Sequence, residues 1–168
     1  LRNKGIELLV TAIPVKTKDF RWEITGNYNR NRNTVENLGV PFISFSTGTG
    51  AVFALIPGYD APVFYSTFFA RDASGALIKT SAGIPVTARG PVANGAALGT
   101  PTIDPSTGLP FTTGPNSTTL RGVLGSPNPT YTTSLINSFS YKKWTLGVQF
   151  DRVAGNSVFN ADFRTRQG

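Results

Sequence analysis

Phe20-Arg21-Trp22-Glu23-Ile24-Thr25-Gly26-Asn27-Tyr28-Asn29 is the stretch on which the reading of the fold turns. One parity carries Phe20, Trp22, Ile24, Gly26 and Tyr28; the other carries Arg21, Glu23, Thr25, Asn27 and Asn29. Successive side chains of a pleated strand point to opposite sides, so this period of two predicts a strand with one apolar and one polar face. Upstream, Gly5 to Ile13 alternates less cleanly, with Ile6, Leu8, Val10 and Ala12 against Glu7, Leu9, Thr11 and Ile13. Pro14 is expected to close that segment, and Lys16-Thr17-Lys18-Asp19 to reverse the chain. Residues 1–32 therefore predict an antiparallel hairpin.

Residues 130–153 repeat the design. Tyr131, Thr133, Leu135, Phe139 and Tyr141 share one parity, and after Lys142-Lys143 the residues Trp144, Leu146, Val148 and Phe150 share another. This second hairpin has a very short reversal. Residues 154–168 leave it and are expected to start a further segment. Residues 33–129 read mostly as loop, with short strands expected over 51–56 and 62–70. Residues 81–129 are dense in Gly, Pro, Thr, Ser, Ala and Asn and show no period. So long an irregular stretch points to function or partial disorder.

Composition narrows the function classes. The 168 residues contain 18 Gly and 12 Pro, and only 15% are charged, which favours strands and turns over helices. No Cys, His or Met is present. That excludes disulfides, thiolate and imidazole metal sites, Cys or His nucleophiles and the Ser/His/Asp relay. A carboxylate glycosidase needs a close pair of acids, and the nine Asp plus Glu offer no such pair at strand ends. The chain reads as a non-enzyme without cofactor. Net charge is +7, but the bases sit in pairs beside turns and at strand ends, not in one run, which argues against a nucleic-acid partner. No apolar run is long enough for a membrane-spanning helix. The opening Leu1-Arg2-Asn3-Lys4-Gly5 lacks both an initiator Met and an apolar leader, so the chain is expected to be part of a longer one.

Two features favour lipid over a second protein layer. Several alternating segments reach about ten residues, the length a tilted strand needs to cross a bilayer. Aromatics flank the reversals: Phe20 and Trp22 beside one, Tyr141 and Trp144 around the other, as at barrel interfaces. The reading is all-β, an antiparallel transmembrane β-barrel segment with long extracellular loops. Barrel turns on the periplasmic side are short, so both reversals should face the periplasm. Residues 33–129 should then begin and end outside, with an even number of crossings between, possibly none. The competing class is a secreted or surface β-sandwich module for binding or adhesion.

Asn3-Lys4-Gly5-Ile6-Glu7-Leu8, then Lys16-Thr17-Lys18 and Phe20-Arg21-Trp22, followed by Asn27-Tyr28-Asn29-Arg30-Asn31, resembles the SusC/RagA family of TonB-linked outer-membrane transporters. Gly125-Ser126-Pro127-Asn128-Pro129 is similar to the family's "GxPNP". Ser138-Phe139-Ser140-Tyr141-Lys142-Lys143-Trp144 resembles its "TFSYKNF", and Gly155-Asn156-Ser157-Val158-Phe159-Asn160 its "GNDVFN". The order and distances match over about half the chain. The acidic stretch that often precedes "GxPNP" is not matched: between Thr102 and Thr119, Asp104 is the only carboxylate. One carboxylate cannot supply a calcium shell, so no metal is expected.

The resemblance implies a Gram-negative, Bacteroidota-like outer-membrane location and a large barrel whose plug and C-terminal strands lie outside this chain. It also implies uptake of glycans or peptides, a SusD-like lipoprotein cap and energising by the TonB complex through the plug. On that reading Arg21, Glu23, Thr25, Asn27 and Asn29 point into the lumen, and the partners of this piece are the rest of its own barrel, the plug and membrane lipid. Phe20, Trp22, Tyr141 and Trp144 sit at the membrane interface. Phe64, Tyr65, Phe68 and Phe69 contribute to the extracellular rim or the lipoprotein contact.

Overall fold

A computed structural model describes residues 1–46, 52–91 and 100–160. Among them there are strands and no helix. In chain order these are β1 (Arg2–Lys16), β2 (Phe20–Thr34), β3 (Ile43–Ser46), β4 (Val52–Leu55), β5 (Val63–Thr67), β6 (Arg89–Gly90), β7 (Thr118–Thr119), β8 (Arg121–Gly125), β9 (Tyr131–Tyr141) and β10 (Trp144–Ala154). The chain divides into two compact units, Leu1–Thr34 with Pro127–Val158, and Val35–Ser126 with Phe159–Gly168.

The first unit is one antiparallel sheet in the order β1-β2-β9-β10. β2 pairs directly with β9, from Phe20 opposite Tyr141 to Asn29 opposite Thr132. Among the described residues, nothing between them in sequence adds a strand to this sheet. Both tight reversals therefore lie at one end of the sheet, and the long connection leaves and returns at the other. The reversals touch, for the Lys142 amide donates to the Asp19 carbonyl at 2.8 Å. Lys142 adopts a φ of 53°, the left-handed region that a two-residue hairpin turn demands and that only Gly and a few polar residues reach easily.

Pro14 does not end β1, contrary to expectation. Ala12 lies opposite Ile24 and Val15 opposite Trp22, so β1 contains one extra residue in a bulge. A bulge leaves a residue outside the ladder, which is where a strand tolerates Pro's missing N–H. The bulge also resets the parity. Val15 lands on the apolar face beside Trp22, and Lys16 stands opposite Arg21.

The second unit is built around a sheet in the order β3-β4-β5-β8, with β6 and β7 forming a separate two-stranded pair. Ala54, Ile56, Val63 and Tyr65 form its core, with Phe42 and Val123 packed against them. Val35, immediately after β2, is fully buried. It is held by bonds from its amide to the Tyr59 carbonyl and from the Gly58 amide to its own carbonyl. The loop-like reading of this stretch misses the core because much of it is Ala: Ala54, Ala61, Ala70 and Ala88 are all buried, and Ala carries little apolar signal. The part of the C-terminal segment that is described, 155–160, contains no strand. Residues 161–168, where a further segment is expected, lie outside the described residues.

Candidate functional site: a sheet with two unlike faces

Register decides which side chains share a face. Reading across the first unit, one row is Ala12, Ile24, Asn137 and Val148, and the next is Val10, Gly26, Leu135 and Phe150. Toward the reversals follow Val15, Trp22, Phe139 and Leu146, then Phe20, Tyr141 and Trp144. Four segments whose alternation was separate in sequence thus place their apolar parity on one surface. No residue of the four strands is buried. Trp144 is 80% exposed, Leu146 61% and Phe150 62%.

Two of the polar groups on this face are bonded within the sheet. The Trp22 indole Nε1 donates to Asn137 Oδ1 at 3.2 Å. The Thr133 hydroxyl donates to the Asn27 carbonyl at 2.8 Å. An unsatisfied polar atom in an apolar medium costs several kcal/mol, so these bonds suit a surface that water does not solvate. Two aromatic pairs bracket the apolar rows. Trp22 stacks on Phe139 at 5.8 Å near the reversals, and Tyr28 stacks on Tyr131 at 5.9 Å toward the other end.

The opposite face carries Glu7, Thr11, Arg21, Glu23, Thr25, Asn27, Asn29, Ser134, Gln149 and Asp151. Cross-strand neighbours bond directly: Asn29 Nδ2 donates to Glu7 Oε1 at 2.9 Å, and the Thr11 and Thr25 hydroxyls meet at 3.1 Å. Arg21 pairs with Glu23, and Gln149 Nε2 bridges both Asp151 oxygens at 3.0 and 2.9 Å. Glu7, Asn27, Asn29, Thr132, Ser134 and Asp151 line a shallow concavity on this side. The five residues expected to share the polar face, Arg21, Glu23, Thr25, Asn27 and Asn29, are thus one row-wise set. Phe20, Trp22, Tyr141 and Trp144 cluster at the reversals, with Phe20 opposite Tyr141 and Tyr141 opposite Trp144.

No family model matches the chain. A TonB-dependent receptor of Formosa agariphila is 31% identical over 170 residues, covering 98% of this chain and 16% of its own length. Solved structures of the RagAB peptide importer in an open-open state and of the RagAB peptide transporter are similar in fold. Their TM-scores are 0.58 and 0.55 at 17% and 19% identity, covering 92% and 91% of this chain and 14% and 15% of theirs. The chain is similar in sequence to part of a TonB-dependent receptor and in fold to part of RagAB. The chain spans about a sixth of the curated relative's length. These relatives are named as receptors, importers and transporters rather than enzymes, and they point to the outer membrane of Gram-negative bacteria.

The motifs of this receptor-like chain fall at structural joints. Asn3 to Leu8 lies in the first half of β1. Lys142 and Lys143 form the reversal between β9 and β10. Gly155 follows β10 with φ of 80°, and a Cβ there would collide with the Thr130 side chain, so only Gly fits. The four aromatics expected at the rim separate. Tyr65 is 6% exposed and belongs to the core of the second unit, which removes it from any rim contact. Phe64 stacks on Phe53 at 4.9 Å, Phe68 is half-buried, and Phe69 is 53% exposed.

Sequence reading missed the second aromatic row, Tyr28 and Tyr131, although Tyr28 ends the alternating stretch in plain view. It also missed two matching turns. Asp72 Oδ1 accepts from the Ser74 amide and hydroxyl and from the Ala76 amide. Asp104 Oδ1 accepts from the Ser106 amide and hydroxyl. These bonds hold both carboxyls below the usual carboxylate range, the Ser74 and Ser106 hydroxyls contributing most. The signal was the shared Asp-x-Ser spacing followed by Gly75 and Gly108.

Proposed function

We propose that this chain is part of the wall of an outer-membrane transporter that takes up glycans or peptides, with its apolar sheet face against lipid and its polar face toward the lumen. The observation that carries the reading is the continuous exposed apolar face, bracketed by aromatic pairs. The dimensions agree. Phe20 and Arg30 are ten residues apart on β2, about 33 Å of strand. At a tilt of about 40° that projects to about 25 Å, the height of the apolar band of outer-membrane barrels. A sandwich module would need a second layer over this face, and its residues are not buried.

On this reading the reversals face the periplasm, and the second unit lies on the extracellular side. The open edges of β1 and β10 are completed by further barrel strands, since unpaired strand edges are not viable in lipid. The polar face packs against a plug that answers to TonB. A surface lipoprotein of the SusD kind contacts the extracellular unit, with Phe69 as the exposed aromatic among the candidate contacts.

Cysteine scanning tests the face assignment in the membrane-embedded receptor. With Asn27→Cys and Ile24→Cys, a bulky water-soluble maleimide should label position 27 and spare position 24. Preferential labelling at 24 would reverse the assignment. For the cap, Phe69→Asp should reduce lipoprotein recovery on co-purification; unchanged recovery would remove Phe69 from that contact.

A further inference from the structure

We propose that the apolar face ends, away from the reversals, in a binding site for the phosphates of an anionic lipid headgroup, formed by Lys4, Arg30 and Arg152. The proposal rests on the lipid-facing reading above and adds a specific ligand chemistry to it.

Past Tyr28 the alternation of β2 continues, but cations replace apolar residues. Arg30 stands opposite Ile6, and two residues on, Arg32 stands opposite Lys4. On β10, Arg152 stands opposite Thr133, which faces Tyr28. β1, β2 and, across β9, β10 thus change from apolar to basic on the same face, staggered over four residues of strand. The other end of that face shows no such change. Lys16 stands beside Arg21 on the polar side, and Lys18, Lys142 and Lys143 belong to the reversals.

The acids are segregated. β1, β2, β9 and β10 contain three carboxylates, Glu7, Glu23 and Asp151, and all three lie on the polar face. Each is engaged there, by Asn29, Arg21 and Gln149 respectively. An ordinary solvated surface intersperses both signs; this edge of the apolar face carries one sign only.

The spacing suits phosphate. Arg30 and Lys4 are diagonal neighbours on adjacent strands, about 7–8 Å apart at their bases. Arg152 is two strands and two residues from Arg30, about 12 Å away, so Arg30 lies between Lys4 and Arg152, which are about 20 Å apart. Long flexible arms bring such groups together, and phosphate oxygens accept charge-assisted bonds from several donors at once. The Arg152 guanidinium lies 5.7 Å from the Tyr131 ring centroid, and Tyr131 stacks on Tyr28. One cation is thereby held at the depth of the aromatic row, where headgroups begin. The ligand that offers anionic charge at that depth, with acyl chains alongside the apolar rows, is a phosphorylated lipid of the leaflet next to the long connection.

The test uses the whole receptor in neutral detergent, with thermal unfolding followed against added lipid. Lipid A should raise the Tm, while phosphatidylcholine and inorganic phosphate at equal phosphate concentration should not. K4Q/R30Q/R152Q should need at least about tenfold more lipid A for the same shift, and Lys79→Gln should respond as wild type. The charge-preserving set K4R/R30K/R152K should keep the response; its loss alongside the Gln set would mark a structural effect and overturn the site. An unchanged titration of the Gln set, or an equal shift from inorganic phosphate, would overturn it too. Ile24→Cys in the same preparation separates the two readings. If position 24 stays shielded while lipid A binding is indifferent to the basic residues, the phosphate site falls alone; if it labels readily, both fall.

Discussion

The two units apply the same alternation to opposite ends. In the second, short strands turn Ala54, Val63 and Tyr65 inward, and the body supplies its own apolar environment. In the first, strands of 11 to 15 residues, against 4 or 5 in the second unit's main sheet, turn their apolar parity outward onto nothing of their own. Pattern and chemistry are similar, so a half-apolar strand specifies that one face must be covered without specifying by what. Strand length, aromatic bracketing and internal satisfaction of stray polar atoms decide between protein and lipid.

The difference can be attacked directly. The largest effect is expected in the second unit, where Tyr65→Ala should destabilise by about 3–5 kcal/mol through cavity formation, read from denaturant unfolding followed in that unit. Phe69→Ala, four residues on and exposed, should stay within about 0.5 kcal/mol. In the first unit the informative pair is adjacent. Leu135 and Ile136 are each 40% exposed but point to opposite faces. Leu135→Arg should cost about 2–4 kcal/mol of folding into a bilayer, the penalty for Arg near the midplane. Ile136→Arg should cost far less, and equal costs would break the distinction between the faces. A smaller effect, about 1–3 kcal/mol, is expected for Trp22→Phe, which leaves the Asn137 oxygen without its donor on the apolar face. The double variant Trp22→Phe/Asn137→Leu should recover much of that loss; no recovery would mean that this bond does not matter there.

The smallest effect concerns the Asp72 and Asp104 turns. Their folded carboxyl pKa values lie below the ordinary 3.8. Their contribution is therefore complete above the unfolded value and disappears as pH falls through the folded one. Hydrogen exchange at the Ser74, Ala76 and Ser106 amides should stay protected near neutrality and lose protection only below about pH 4, once the known pH dependence of intrinsic exchange is removed. Asp72→Asn should flatten that response at Ser74 and Ala76 while leaving Ser106 unchanged.

The long strands were legible because ten or more alternating residues leave no other period. The clustering of Phe20, Trp22, Tyr141 and Trp144 was legible because they adjoin obvious reversals. The short strands were much less so: β3 has four residues, too few for alternation to rise above chance. Pro14 was read as a stop because the chain alone does not reveal a bulge. Tyr65 was misassigned because it sits in an aromatic cluster where only burial separates the inward ring from Phe69. The polar set from Arg21 to Asn29 could be grouped from parity alone, but its pairing with Glu7 and Ser134 required register.

The adjacency of β2 and β9 has an engineering consequence. Their partnered positions sit one strand spacing apart, about 5 Å, so the ninety-odd residues joining them span almost no distance. Everything between can be lengthened, trimmed or exchanged for a foreign domain with little added closure cost, and no strand need change its partner. This seam is a natural splice point, at which the intervening segment can be replaced while the pairing of β2 with β9 stays the same.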